Sequence, residues 1–198
     1  LRVGPGVLVP RPETELLVER ALGHLPADRD LDVLDLASGS GAIALAVASE
    51  RPRCRVVATD IAPAAIEATR GNARRLGLGD RVAVLQGAWF DPCAGQRFDL
   101  IVSNPPYIAA DDARVEPGVR RYEPAEALFS GPSGLEALQV IVAGAVRHLR
   151  PGGWLVVEHG DSQGAAVRAL FTAAGFGDVQ TLRDLPGRER CTEGRLRG

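Results

Sequence analysis

Short apolar runs alternate with longer helical stretches along the whole chain, and this rhythm restricts the fold more than any other feature. Leu31–Leu36 predicts a buried strand, with the helix Gly41–Glu50 (GAIALAVASE) behind it. A second strand falls at Arg55–Asp60. It is followed by a helix over Pro63–Leu76, with Pro63 suited to a first turn and Gly77 to a stop. Third and fourth strands fall at Arg81–Gln86 and Phe98–Ser103. A helix over Gly134–Leu149, ended by Arg150-Pro151-Gly152-Gly153, leads to a fifth strand at Trp154–Glu158. A last helix, Gln163–Ala174, is stopped by Gly175 and precedes two strands at Asp178–Arg183 and Glu189–Leu196. The pattern predicts an α/β fold, a mostly parallel seven-stranded sheet with helices on both faces. Residues 104–132 form the one long irregular stretch, and such a loop inside a compact domain is usually functional.

Bulk properties narrow the function. With 198 residues the chain builds one domain, expected over 1–198, rather than two. The formal net charge of -2 gives no field for holding a phosphate backbone, so direct nucleic-acid binding is not expected. Arg70, Arg74 and Arg75, and the arginines from Arg183 onward, read as a solvated helix face and an Arg-rich tail. Cys54, Cys93 and Cys191 form no CxxC pair, which argues against a disulfide framework or a metal centre and places the chain in a reducing cytoplasm. No apolar run reaches bilayer length and no signal peptide is evident, so no membrane partner is expected. The chain starts at Leu1 and contains no Met, so it is expected to be a piece of a longer protein lacking an N-terminal region.

The first strand runs into Asp35-Leu36-Ala37-Ser38-Gly39-Ser40-Gly41 and then a helix. Glycines there let the backbone turn tightly and approach a ligand at the carboxyl end of the strands. Asp60, ending the next strand, is placed to accept hydrogen bonds from the hydroxyls of an adenosine ribose. Gly39–Ala44 also satisfies the loose GxGxxA pattern, so the loop alone leaves NAD and S-adenosylmethionine both open.

The second motif decides between them. Phe98–Ser103 runs straight into Asn104-Pro105-Pro106-Tyr107. Prolines in series stiffen the chain and push the preceding residue into extended geometry, presenting Asn104 rigidly at the sheet edge that carries the glycine loop. Its side-chain oxygen and the Pro105 carbonyl are acceptors for the two protons of a planar NH2 group, and Tyr107 offers a flat face. An amide nitrogen is a poor nucleophile because its lone pair is delocalised. Two acceptors orient it and stabilise the positive charge that grows during attack, with the nitrogen held roughly 3–3.5 Å from a sulfonium methyl. No carboxylate base is needed, since the proton can leave afterwards.

On these motifs the chain resembles the PrmC/HemK family of release factor glutamine methyltransferases. The resemblance rests on Val9-Pro10-Arg11-Pro12-Glu13-Thr14-Glu15, DLASGSGAIALA, SNPPYI, Glu123-Pro124 with Ala127-Leu128-Phe129, Gly152-Gly153, Glu158-His159-Gly160 and the tail Asp184–Arg190. It implies a Rossmann-like class I S-adenosylmethionine methyltransferase fold. The implied reaction methylates the glutamine side chain in the GGQ loop of class 1 peptide chain release factors, with S-adenosylhomocysteine as product. Carried over by position, Ala37, Ser38, Gly39, Ser40 and Gly41 form the cofactor loop, Asp60 meets the ribose, and Trp89 lies against the adenine. Asn104 adjoins the cofactor, and Asn104, Pro105, Pro106 and Tyr107 hold the target glutamine. Asn104, Pro105 and Tyr107 carry catalysis, and the PRPETE segment helps close the cofactor site. Ala37 stands where a glycine is common in the family and Ala88 where an acidic residue is frequent. Glu158 and His159 read as strand-end support for the loop rather than a catalytic pair. The alternatives are glutamine methylation of a ribosomal protein, adenine amino methylation of nucleic acid, an NAD-binding oxidoreductase, and a cofactor-binding module without catalysis.

Overall fold

A computed structural model describes residues 1–115, 118–119 and 123–198. The elements are α1 (Thr14–Gly23), β1 (Asp32–Leu36), α2 (Ala42–Glu50), β2 (Arg55–Asp60), α3 (Pro63–Arg75), β3 (Val82–Gln86) and β4 (Phe98–Ser103). They continue with α4 (Ala125–Leu128), α5 (Glu136–His148), β5 (Leu149–Glu158), α6 (Gly164–Ala173), β6 (Phe176–Arg183) and β7 (Glu189–Leu196). The seven strands form one sheet in the order β3-β2-β1-β4-β5-β7-β6. Strands β1 to β5 are parallel, and β7 runs antiparallel between β5 and β6.

Alternation along the central strands divides the core into two layers. Val33, Val56, Leu100, Val102 and Val156 pack with Leu17 of α1, Ile43 and Val47 of α2 and Ile66 of α3. Leu34, Leu36, Ile101, Leu155 and Val157 pack with Leu138 and Ile141 of α5 and Val167 and Phe171 of α6. Strands buried on both faces must be apolar at nearly every position, which is why they read as continuous runs.

Several boundaries move for identifiable reasons. Strand β5 begins at Leu149, not Trp154. Leu149 is already extended and pairs with Phe98, and a register shift between Phe98 and Leu100 absorbs Pro151-Gly152-Gly153 as a bulge rather than a turn. Strand β6 begins at Phe176, whose ring packs on Phe171 at 5.1 Å. Its register slips around Asp178, where φ is 52°. The irregular stretch at 104–132 is not wholly irregular, although its residues 116, 117 and 120–122 lie outside those described. Ile108 bridges Phe129 in parallel, Ile108 N–H donates to the Leu128 carbonyl at 3.0 Å, and α4 forms just before the return. The excursion is thus closed at its base and brings Pro124–Ala127 back over the sheet edge.

Candidate active site

The chain steps outward from β1 through β2 to β3 and then returns to add β4 and β5 on the other side of β1. Ligands bind doubly wound sheets at such a reversal, outside the carboxyl ends of the strands. Leu36 pairs with both Thr59 and Ser103, and Ser103 pairs with Val157. The residues that follow, Ala37, Asp60, Asn104 and Glu158, therefore leave the sheet as one row.

One cavity, of about 190 Å³, lies over β1 and β2. Its wall includes Ala37, Ser38, Gly39, Ser40, Asp60, Ala88, Trp89, Asn104 and Pro106. Left-handed φ angles recur at Ala37 (57°), Gly39 (56°) and Gly41 (81°), so the loop coils tightly back over the strand. Gly41 is set behind the wall, at the entry to α2. A Cβ there would meet the Thr69 side chain at 2.8 Å, whereas one on Gly39 would meet no protein atom within 4 Å. The Gly39 and Ala62 N–H groups each donate to Asp60 at 2.9 Å, one to each carboxylate oxygen, fixing its orientation. From α3, Thr69 and Asn72 donate to the carbonyls of Gly39 and Ser40 at 3.0 and 2.9 Å. Asp35 lies fully buried behind the loop. Burial pushes its pKa up to about 8, with Asp60 adding to the shift against the Ala44 N–H. Asp35 Oδ1 and Ser38 Oγ are buried without a hydrogen-bond partner.

A broader cleft, of about 640 Å³, adjoins this cavity over β4 and β5 and is lined by Pro105, Tyr107, Ile108, Gln163 and Arg190 among others. Asn104 borders both spaces. The narrow cavity suits a small polar ligand and the open cleft a protruding segment of a larger one. Asn104 Nδ2 donates to Thr14 Oγ1 at 3.1 Å, and the Thr14 hydroxyl donates to Glu158 Oε2 at 3.0 Å. The Tyr107 hydroxyl donates to Glu158 Oε1 at 3.1 Å. Burial and the Glu158 charge raise the Tyr107 pKa well above the phenol range, so the hydroxyl keeps its proton. Gln163 ties the loop from behind, donating to the Tyr107 carbonyl at 2.9 Å and accepting from the Gly160 N–H at 2.8 Å. His159 points away, with its ring nitrogens on Thr192 Oγ1 and the Gly160 carbonyl, each at 2.8 Å.

The N-terminal segment crosses this edge. Val7, Leu8, Pro10, Arg11 and Thr14 wall the narrow cavity opposite Pro124, Glu126 and Ala127. Arg11 Nη2 meets Glu123 Oε1 at 2.8 Å and joins the two sides.

Sequence reading brings Asp60, Trp89, Asn104 and the loop residues to this edge. It misses Thr69, Asn72 and Gln163 as builders of the site, and it has Thr14 only as part of the PRPETE segment that helps close the cofactor site. Thr69 and Asn72, polar residues three apart on α3, carried a readable signal; the aim of Thr14 at Asn104 did not. Among the described residues no His, Cys, Asp and Glu side chains are grouped to hold a metal ion, and no helix is long and apolar enough to cross a membrane.

The Methyltransferase small domain family matches residues 12–122. A release factor glutamine methyltransferase of Xylella fastidiosa (strain Temecula1) is 52% identical, over 99% of this chain and 71% of the relative. A structure of the release factor-specific protein-(glutamine-N5) methyltransferase of Alicyclobacillus acidocaldarius is 28% identical with a TM-score of 0.60, covering 100% of both chains. A ribosomal protein L11 methylase structure from Lactobacillus delbrueckii subsp. bulgaricus has a TM-score of 0.72 at 21% identity, covering 100% of this chain and 85% of that one, a likeness of fold.

Proposed function

The chain belongs to the release factor glutamine methyltransferase family, and from that membership we propose that it transfers a methyl group from S-adenosylmethionine to a glutamine side-chain nitrogen of class 1 peptide chain release factors, in their GGQ loop. The observation that carries the reading is the place of Asn104, on the wall shared by a narrow cavity and an open cleft. A group there reaches both a methyl donor and an acceptor.

The narrow cavity fits the donor. Asp60 is oriented for a ribose, Trp89 supplies a flat apolar wall, and the space above Gly39 would be filled by any side chain at that position. The orphaned Ser38 Oγ, on the cavity wall, suits a polar ligand. S-adenosylmethionine supplies, when bound, an electrophilic methyl on a sulfonium. Ala37 to Ser40, Asp60 and Trp89 would hold it, with Gly41 shaping the loop from behind the wall.

The chain's own work is on the acceptor. Asn104 Oδ1 and the Pro105 carbonyl take the two N–H bonds of the glutamine amide, while Tyr107 backs its plane. This aligns the nitrogen and stabilises the charge that develops on it. Once cationic, the nitrogen is acidic enough to lose its proton to water in the open cleft, so Glu158, already engaged by Thr14 and Tyr107, need not act as a base.

Mass spectrometry of a release factor incubated with the chain and S-adenosylmethionine is expected to show one methyl gained on the glutamine. Asn104→Ala should lose about 10²–10³ in turnover while keeping its affinity for S-adenosylhomocysteine. A wild-type rate in the folded variant would sink this mechanism. Methylation of ribosomal proteins but not of release factor would move the substrate elsewhere.

A further inference from the structure

A carboxamide has an acceptor end and a donor end of nearly the same shape, and only the acceptor end of Asn104 can receive a substrate N–H. Something must decide which end faces the substrate. A threonine hydroxyl has one proton and lone pairs to accept with, whereas an ionised carboxylate only accepts. Glu158 lies buried at the end of β5, where burial raises its pKa while Thr14, Tyr107 and Arg190 favour the carboxylate; in that ionised form it takes a hydrogen bond on each oxygen, from the Tyr107 hydroxyl and from Thr14. The single Thr14 proton is thereby committed to Glu158. Toward Asn104, 3.1 Å away, Thr14 Oγ1 can only accept, so Asn104 must turn its NH2 to it. The oxygen is left on the opposite side of the carboxamide.

We propose that Thr14 and Glu158 are positioning residues for methyl transfer: through the chain Glu158–Thr14–Asn104 they set the polarity of the Asn104 amide, so that its oxygen faces the substrate NH2. The inference rests on the methyltransferase reading above and adds a role for residues outside the Asn-Pro-Pro-Tyr motif. Thr14 comes from α1 and Glu158 from β5, so the control of Asn104 depends on α1 being seated on the sheet. The side chains of Thr14 and Glu158 are buried, so the bond between them is sheltered from water. With Thr14 replaced by valine, which keeps the shape and drops the hydroxyl, the amide is free to turn over. Part of its population then offers an N–H to an incoming N–H. With Glu158→Gln one of the two acceptors becomes a donor, so either end of the new amide can face Thr14 and the polarity of Asn104 is no longer enforced.

The test measures methyl transfer to release factor and calorimetric binding of S-adenosylhomocysteine in five variants. Thr14→Val is expected to lower kcat about 10–100-fold, the scale on which misplacement of a reacting group acts, with cofactor affinity within about twofold of wild type. Thr14→Ser, which restores the hydroxyl, is expected to recover most of that loss. Glu158→Gln should be impaired like Thr14→Val, and it carries the test if the valine variant does not fold. In an Asn104→Ala background Thr14→Val should add nothing further, because the group it orients is gone. The proposal is overturned if folded Thr14→Val turns over at the wild-type rate, if Thr14→Ser is as slow as Thr14→Val, or if cofactor affinity falls as far as kcat. A harmless Asn104→Ala would instead overturn the methyltransferase mechanism itself, so the two failures are separable.

Discussion

Ala37 is the residue at which local strain and function meet. Its φ of 57° lies in the left-handed region, where a Cβ crowds the following carbonyl. The cost of holding alanine in this conformation is about 1–2 kcal/mol, against about 0.4–1 kcal/mol of unfolded-state entropy that a glycine would add. Ala37→Gly is therefore expected to stabilise the chain by about 0.5 kcal/mol without weakening S-adenosylhomocysteine binding. Urea unfolding checks the first part and calorimetry the second; a clear loss of stability would mean that the strain is relieved by contacts of the Ala37 methyl. Asp60 and Asn104 were legible at this scale because each ends a predicted strand, where position alone dictates that the side chain meets a ligand edge. Thr14 was not, because nothing local distinguishes a capping hydroxyl from one aimed at a residue far along the chain.

At the scale of elements, α1 is the piece whose seating matters to the site, and a buried ionic cluster seats it. Arg20 donates to both oxygens of Glu193 on β7, at 2.9 and 2.7 Å. His24 meets the same carboxylate at 3.0 Å and stacks on Trp154 at 3.8 Å, while Gln180 adds a bond at 2.7 Å. Burial pushes the Glu193 pKa up, but the hydrogen bonds from His24, Arg20 and Gln180 outweigh it and hold the pKa at about 2. A carboxylate depressed from an ordinary 4.5 contributes stability that is fully present above pH 4.5 and is lost as the pH falls toward 2. Glu193→Gln is expected to cost about 1.5–3 kcal/mol near neutral pH and to flatten the acid limb of the stability profile between those values. Thermal unfolding across pH 2 to 7 reads both effects; an unchanged acid limb would assign the protective charge to other carboxylates. Because α1 carries Thr14, the same variant should lower methyl transfer more than it lowers cofactor affinity.

Across the whole molecule, the N-terminal segment and the excursion after β4 meet over the narrow cavity through Arg11 and Glu123. That pair is partly exposed, so its contribution is at most about 1 kcal/mol. Arg11→Ala should weaken S-adenosylhomocysteine binding by no more than about fivefold, with Arg11→Glu worse and recovered by a second change, Glu123→Arg. Calorimetry of the three variants decides it, and failure of the swap to recover affinity would show that the ion pair does not close the cavity. The sequence by itself determined the seven-strand alternation, the glycine loop and the placing of Asp60 and Asn104 along one edge. Those features follow from periodicity and from strand ends, which depend on residues close together in the chain. Only the tertiary structure decided what points Asn104. Thr14 and Glu158 lie 144 residues apart, and Asn104 is 90 from Thr14. The direction of a hydrogen bond between such residues is set by which buried acceptors the fold brings together, and periodicity along the chain does not encode it.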